Sequence, residues 1–503
     1  MSTLGREMSL RKPLRSGAWF RSLWFHAALA GMLALAFVTG VVTGAPGHYL
    51  LVQFVLAVSV YVSFGLLSDR PLLNPIQTFV IMFYWWFGVA PAVIGAFAHF
   101  AGRPLEALDA QTSSIEGLWI VAVGLPLYAI AARITLHSLS QAHVGYARFL
   151  MPRGRNYRTR TLIVYFGVGF AVTCLLLLLQ ALGIQGQEEI NYLGGTRTTI
   201  WWVGLIVAFG GIGTFGSSAL MTAAVERWRS LSPVVRVMIL ILVAHALVTA
   251  LVSGWKGPFI FLFLYYACAY LAKHQRPPLL LLAILIMAVL LFIAPFVNYA
   301  RHEAMFQGAT GSQERKEIFK RALTEREMYS PESWSSLNVP ILFRFIYPLA
   351  AEVTRRNTML HGEWEGYTIA WGFEILIPRA LKPDKRDMNI GNFFSRTIAA
   401  DIGMHAYSDE VNNVGLSLPF EFVGNYGWFA GVLSFGVIGV FWSLWCGFLL
   451  SVDRLSDHPL TPLIVCSTLG MEAAMGHFLA GLRGFLFLLI VAYFIYSLLN
   501  RKL

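Results

Sequence analysis

Several cations of this chain lie where an anionic group could be bound at a membrane surface. Lys256 and Arg483 each lie in a predicted tight turn flanked by glycine, and Arg301 directly follows a long apolar run. Arg binds phosphate through two parallel hydrogen bonds, whereas Lys acts as a point charge. The pattern is typical of a site for a phosphate-bearing lipid headgroup, with a snorkelling lipid anchor as the alternative. The remaining candidates are Arg344, Arg355, Arg356 and Arg379.

Acids and histidines in the same region could supply a general base. The clearest candidate is Glu421, which lies close to Gly424 and Gly427 where the chain returns to an apolar run. A carboxylate that is partly removed from water is a suitable general base, although an ion pair with a nearby arginine is an equal alternative. The other candidates are His302, His361, His405, Asp401 and Glu374.

The elements that must position these residues are membrane spans. Hydrophobic residues make up 57% of the 503 residues and charged residues only 13%, about half the charged fraction of a soluble protein. Apolar runs of about 18 residues or more recur, each long enough to cross a bilayer. The sequence predicts an all-α polytopic membrane protein and not a nucleic-acid-binding one, despite a net charge of +11. The twelve predicted spans are 23–44, 49–67, 76–100, 116–136, 161–184, 199–225, 232–252, 257–272, 278–298, 426–450, 460–478 and 483–499.

The distribution of Lys and Arg between alternate loops predicts the topology. Loops on the side of the N-terminus carry most of them, whereas the short loops on the other side carry only Arg103, Arg197, Lys256 and Arg483. The positive-inside rule therefore places both termini in the cytoplasm. The expected divisions are a cytoplasmic segment over 1–22, spans one to nine over 23–298, an outside loop over about 298–423, and spans ten to twelve over 424–503.

The long outside loop between spans nine and ten is predicted to be structured. Its apolar stretches over 339–349 and 369–381 are too short and too interrupted by proline to cross a bilayer. Such runs are typical of interfacial or re-entrant helices that other parts of the protein cover. A charged stretch over 312–327 is predicted to be a helix on the surface.

The loop resembles the Wzy-type polymerases of oligosaccharide repeat units, which make O-antigen and exopolysaccharide and are relatives of the O-antigen ligases. Two departures are Lys256, where that family usually has Arg, and Asp384, which separates Pro383 from Lys385. The resemblance is carried by Gly366-Tyr367, Ile377-Pro378-Arg379-Ala380-Leu381-Lys382-Pro383-Asp384-Lys385, Gly391-Asn392, and Glu421 with Gly424-Asn425-Tyr426-Gly427-Trp428, and also by Asn74-Pro75, Tyr84-Trp85-Trp86 and the turn from Ser253 to Gly257.

The resemblance implies glycosyl transfer on the outer face of the bacterial inner membrane. A glycan on undecaprenyl diphosphate would be the donor, and a new repeat unit on the same lipid would supply the acceptor hydroxyl. Because cations can stabilise the diphosphate leaving group, no metal or other cofactor is expected. A flippase and a chain-length regulator are implied partners. The implied base is Glu421, with His302 and His405 as reserves, and the implied diphosphate contacts are Lys256, Arg301, Arg344, Arg379 and Arg483.

Other functions remain open at this point. An O-antigen ligase would use the same donor, and no residue in the sequence distinguishes a ligase from a polymerase. A flippase or other transporter of lipid-linked sugars could use Glu472 and His245, which are predicted to lie inside spans. A glycosyltransferase that uses a polyprenyl-monophosphate sugar normally has an acid in its first outside loop, whereas 45–48 has none. A structural assembly subunit is a further alternative.

Overall fold

The computed structural model is helical in every secondary-structure element that it describes. Helix α1 spans Leu23–Thr43, and α2 spans Gly47–Leu66. The described residues are 23–67, 74–100, 102, 104–141, 159–181, 201–253, 257–274, 348–374, 376–377, 381–382, 416–450, 461–468 and 475–500, with the separate positions 281, 284, 296, 299, 317, 318, 321, 394 and 398.

The third predicted span is divided by a π-helical turn. Helix α3 (Pro75–Phe83) is followed by this turn over Tyr84–Val89 and by α4 (Ala90–Phe100). The start of α3 is fixed locally, because Asn74 Oδ1 accepts hydrogen bonds from Ile76 N at 2.9 Å and Gln77 N at 3.0 Å. A short helix, α5 (Pro104–Ser113), then occupies what the sequence predicts to be a loop.

Five helices follow before the predicted outside loop. They are α6 (Ile115–Gln141), α7 (Thr159–Ala181), α8 (Trp201–Arg227), α9 (Pro233–Ser253) and α10 (Gly257–His274). Their positions agree with predicted spans four to eight. Lys273 Nζ donates to Val225 O at 2.6 Å and to Glu226 O at 3.0 Å, so α10 caps the carbonyl end of α8.

The last five helices include the four that form the candidate site, which are α11, α12, α13 and α15. Two lie in the predicted outside loop, α11 (Pro348–His361) and α12 (Tyr367–Glu374), which confirms that this region contains helices. Helix α13 (Leu418–Leu450) is followed by α14 (Thr461–Thr468) and α15 (Met475–Asn500).

The core is centred on α13, which packs along α6. Gly124 on α6 lies under the ring of Phe435, and Gly439 on α13 lies against the backbone of Tyr128. Small residues at such a crossing let two helices approach closely, as is common between membrane spans. The Tyr128 ring also stacks on Phe79 with centroids 4.1 Å apart, and Tyr128 OH donates to Ile76 O at 3.0 Å, so α3 joins the same core.

The fold defines a multi-pass membrane protein. Among the described residues, five helical segments are long and apolar enough to cross a membrane, namely α1, α2, the α3–α4 unit, α6 and α13. Large apolar side chains also point outward from these helices, where a soluble protein would present polar groups. Val41 is 69% exposed, Ile134 62% and Val437 62%.

Candidate active site

The turn between α11 and α12 places the predicted outside loop against the beginning of α13. Gly362, Glu365 and Gly366 all have positive φ angles, of 84°, 48° and 81°. This backbone directs Trp364 toward α13, where Trp364 N donates to Gly424 O at 2.9 Å. The Trp364 indole N–H also donates to Asn357 Oδ1 at 2.9 Å, which fixes the ring against α11.

Helix α13 begins earlier than the sequence indicates. The loop was expected to continue to about 423, whereas the helix begins at Leu418. Ser417 caps the first turn, since its carbonyl accepts from Phe420 N at 2.9 Å and Glu421 N at 3.1 Å. Glu421 therefore lies on a buried helical turn, within the last part of the predicted outside loop.

A kink separates this first part of α13 from the long apolar part. Tyr426 has φ −145° and ψ 15°, and Gly427 has φ 81° and ψ 177°. The Gly427 conformation is one that essentially only glycine adopts. The Tyr426 hydroxyl reaches Gly366, where it contacts the position that a Cβ would occupy. The kink thus brings the loop motif Gly366-Tyr367 together with the motif that follows Glu421.

The Glu421 carboxylate is fully enclosed and only partly satisfied. Its exposure is 0%, and its Oε2 accepts a hydrogen bond from Met475 N, the first residue of α15, at 2.5 Å. Thr368 on α12 lies close to the carboxyl group. The other oxygen, Oε1, is buried without a hydrogen-bond partner. Most buried polar atoms have a partner, so this oxygen has unused capacity to accept a proton or hydrogen bond.

Asn425 connects the groups around this carboxylate. Its Nδ2 donates to Thr368 Oγ1 and to Glu421 O, both at 2.7 Å. Its Oδ1 and the hydroxyl of Ser417 are also buried without hydrogen-bond partners. Ser417, Glu421 and Asn425 are spaced four residues apart, so they share one face of the helix. This face presents polar groups that the described protein atoms do not fully satisfy.

An ion-pair network anchors α11 to the start of α6. Arg355 forms a bidentate pair with Glu352, with Nε–Oε2 and Nη2–Oε1 distances of 2.8 Å, and its Nε lies 2.6 Å from Glu116 Oε2. Arg356 Nε binds the same Glu352 carboxylate at 2.8 Å. Partial burial opposes ionisation of Glu352, but the two guanidinium groups hold the pKa of its carboxyl below its ordinary value.

The structure describes only two of the predicted site residues. Glu421 has no cationic partner among the described residues. The alternative ion pair with a nearby arginine stays a prediction, because Arg301, Arg344 and Arg379 lie outside the described residues. Arg483 is exposed and lies inside α15, so the predicted turn around it was wrong. The apolar pattern suggested a break before 483, but α15 passes through Gly481 and Gly484 without interruption. The other predicted site residues lie outside the described residues, namely His302, His405, Lys256, Arg301, Arg344 and Arg379.

Other candidates have different surroundings. Glu374 forms an ion pair with Lys382, so it is a weaker candidate for a base. His361 is exposed at the end of α11. His245 lies on α9, which corresponds to predicted span seven, with its side chain exposed, and Glu472 lies outside the described residues. The described residues contain no group of three His, Cys, Asp or Glu side chains that could hold a metal ion.

Sequence reasoning missed the residues that surround Glu421. Asn425 has a local signal, because it lies one helical turn after Glu421. Thr368 and Met475 have none, since they are separated from Glu421 by 53 and 54 positions in the chain. Trp364 has an indirect signal in the glycines on either side of it, which indicate a tight turn.

Comparison with known proteins gives one match. Residues 205–345 match a family model described as a domain of unknown function, DUF8712. That segment covers α8 to α10 and the first part of the predicted outside loop, and it ends before the described candidate site. No curated protein matches the chain, and no solved structure does.

Proposed function

We propose that this protein lengthens glycans carried on undecaprenyl diphosphate, as a Wzy-like polymerase of the bacterial inner membrane. The observation that supports this function best is the surroundings of Glu421. One oxygen of a fully buried carboxylate has no hydrogen-bond partner, next to the contact between the two motifs on which the resemblance rests. The product would be O-antigen, capsule or exopolysaccharide.

The proposed topology has twelve spans, both termini in the cytoplasm and the loop over about 298–423 in the periplasm. It is supported by the excess of Lys and Arg in alternate loops and by the apolar helices of the fold. Helices α11 and α12 would then cover the outer end of α13. The substrates are lipid-linked oligosaccharides, and a flippase and a chain-length regulator are the proposed partners.

The proposed reaction transfers the growing glycan to a new repeat unit. The acceptor hydroxyl oxygen forms a bond to the anomeric carbon of the donor, and the bond from that carbon to the diphosphate breaks. Undecaprenyl diphosphate leaves with the electron pair, and the acceptor proton passes to Glu421, with inversion at carbon. His302 and His405 are the reserve bases. Lys256, Arg301, Arg344, Arg379 and Arg483 would stabilise the diphosphate, so the proposal requires no metal ion.

A purely structural role for Glu421 is the main competing interpretation. Its Oε2 caps the first described residue of α15, and this bond alone could hold α13 and α15 together. A cap needs only an acceptor, which a glutamine side chain also provides. A general base requires a carboxylate, so Glu421→Gln separates the two roles.

The test is the length of the glycan on its lipid carrier in the host bacterium. The strains compared carry the native gene, a deletion, Arg344→Ala, Glu421→Gln, or the control Glu374→Gln, with membrane levels of each protein measured. We expect single repeat units on the outer face in the deletion, Arg344→Ala and Glu421→Gln strains, and long glycans in the control.

Other outcomes would replace the proposal. Single units trapped on the inner face of the deletion strain would indicate a flippase. Long chains on the carrier in the deletion strain, with none transferred to lipid A, would indicate a ligase. Normal glycans from Glu421→Gln and Arg344→Ala would show that the proposed site residues are wrong even if the deletion strain supports a polymerase.

A further inference from the structure

The end of α8, the turn that follows it and the adjoining ends of α9 and α10 form a surface rich in cations. The cations on this surface are Arg227, Arg229, Arg236 and Lys273. Glu226 is the only acid within 201–253 and 257–274, so four positive charges are set against one negative charge. A surface of this sign attracts an anionic ligand.

Short contacts hold these cations close to one another. Arg236 Nη2 donates to Arg229 O at 2.8 Å, and the Arg236 guanidinium carbon lies 5.9 Å from the centroid of the Trp228 ring. That distance is within the range of a cation–π interaction, which orients the guanidinium group. Lys273 Nζ donates to two carbonyls at the end of α8, so α10 brings its ammonium group to the same turn.

The donors of these side chains are only partly used. An ammonium group has three donors, and the two carbonyls of α8 occupy two of those of Lys273. The buried Nε of Arg236 has no hydrogen-bond partner. The Arg229 side chain is exposed, and the bond of this residue to Arg236 is made by its carbonyl. Ammonium and guanidinium groups only donate, so the ligand that suits them is an anion with several acceptor oxygens, such as a phosphate.

An exposed apolar face continues from the cations along α9. Leu240 lies one helical turn after Arg236 and is 60% exposed, and Val237 and Ile241 are 53% and 44% exposed. Trp228 in the turn is 42% exposed, and tryptophan is enriched where a membrane meets water. A ligand that fits both parts of this surface carries a phosphate and hydrocarbon chains.

We infer that this surface binds an anionic phospholipid of the surrounding membrane. Its phosphate accepts hydrogen bonds from Arg229, Arg236 and Lys273, and its acyl chains lie along the exposed apolar face of α9. Basic clusters between membrane helices suit such headgroups. Lipid binding here is independent of the proposed reaction, since none of these residues is proposed to contact the glycan or the diphosphate.

The test is lipid binding to the purified full-length protein in detergent, measured by native mass spectrometry. Phosphatidylglycerol is titrated as the anionic lipid and phosphatidylcholine as the zwitterionic lipid, and inorganic phosphate is the third ligand. The variants are Arg229→Gln and the double variant Arg229→Gln with Arg236→Gln. Arg133→Gln is the matched control, because Arg133 is an exposed arginine on α6, outside this surface.

We expect wild type to bind phosphatidylglycerol about tenfold more tightly than phosphatidylcholine, whose headgroup has no net charge. Arg229→Gln should weaken phosphatidylglycerol binding about fivefold, the effect of one cation near an anionic headgroup, and the double variant should weaken it further. Arg133→Gln keeps the wild-type affinity. The Tm of Arg229→Gln without lipid is expected to match wild type, because the substituted side chain is exposed. Weaker binding by this variant is then not a loss of fold.

Three results would overturn this interpretation. The first is a phosphatidylglycerol affinity that is equal in wild type and the double variant. The second is an equal loss in Arg133→Gln and Arg229→Gln, which would show a diffuse attraction and not a site. The third is binding of phosphatidylcholine or inorganic phosphate as tight as that of phosphatidylglycerol, which would show that the surface does not select an anionic lipid. None of them affects the proposed polymerase function, which is tested by glycan length.

Discussion

Close packing at Gly424 decides whether the turn that carries Trp364 can pack against α13 beside Glu421. A Cβ added at Gly424 would overlap the six-membered ring of Trp364, and that ring is already held by Asn357. Interiors are packed densely enough that one added methyl group is felt. The small residue at 424 is therefore a requirement of the contact between the loop and α13.

Gly424→Ala should destabilise the protein by about 1–3 kcal/mol, because Trp364 has to shift to admit the methyl group. The measurement is the thermal unfolding of the purified protein in detergent. Gly167→Ala on α7 is the control, since a Cβ there meets no atom within 4 Å and alanine favours a helix. Equal Tm values for the two variants would contradict the packing argument.

At the scale of helices, the kink in α13 separates a first part with a buried polar face from a second part that is an apolar span. The part before Tyr426 carries the polar face that contains Glu421 and Asn425, and the part after it carries the apolar span. A continuous straight helix would carry Tyr426 away from Gly366. The backbone at Gly427 thus links the geometry of the site to the packing of the span.

Gly427→Ala should cost about 1–3 kcal/mol of stability and abolish chain extension, because φ 81° with ψ 177° is strained for any residue with a Cβ. The added methyl group would also approach Glu363 Oε1, at 2.7 Å. Thermal unfolding and glycan length measure the two effects. Wild-type behaviour in both would show that α13 tolerates a different backbone at the kink.

The ion pairs of Glu352 with Arg355 and Arg356 within α11 give a pH-dependent contribution to stability. The pKa of Glu352 lies below its ordinary value of 4.5 in the folded protein. Its pairs therefore stabilise the fold above that pH, and this stabilisation is lost as pH falls through the lower folded pKa. Because Arg355 and Arg356 are 40% and 52% exposed, the contribution is discounted to about 0.5–1 kcal/mol.

We expect the Tm of wild type to exceed that of Glu352→Gln at pH 7, and the difference to shrink below about pH 4.5. Thermal unfolding of both proteins from pH 7 to pH 3 measures this difference, and the comparison removes the titration of other carboxylates. A difference that stays constant down to pH 3 would show that Glu352 acts by packing alone.

At the scale of the whole molecule, the length of apolar runs predicts the positions of the helices well and the turns between them poorly. The runs over 23–44 and 49–67 correspond to α1 and α2, because an uninterrupted apolar run of about 20 residues predicts a helix that could cross a bilayer. The same criterion placed a turn around Arg483, whose flanking glycines continue as helix in α15. Glu421 was predictable from its position before a glycine motif, but Thr368 and Met475 reach it only through tertiary packing.

The proposed topology predicts that α11 is reached from outside the cell and the turn after α8 from inside. Met359 on α11 is 73% exposed, and Ser230 in the turn after α8 is exposed. Both are suitable for single cysteines in a background with Cys174, Cys268, Cys446 and Cys466 replaced. A membrane-impermeant maleimide should label Met359→Cys in intact spheroplasts but Ser230→Cys only after permeabilisation. Labelling of both positions in intact spheroplasts, or of neither, would place the two segments on the same side of the membrane and remove the topology on which the polymerase proposal depends.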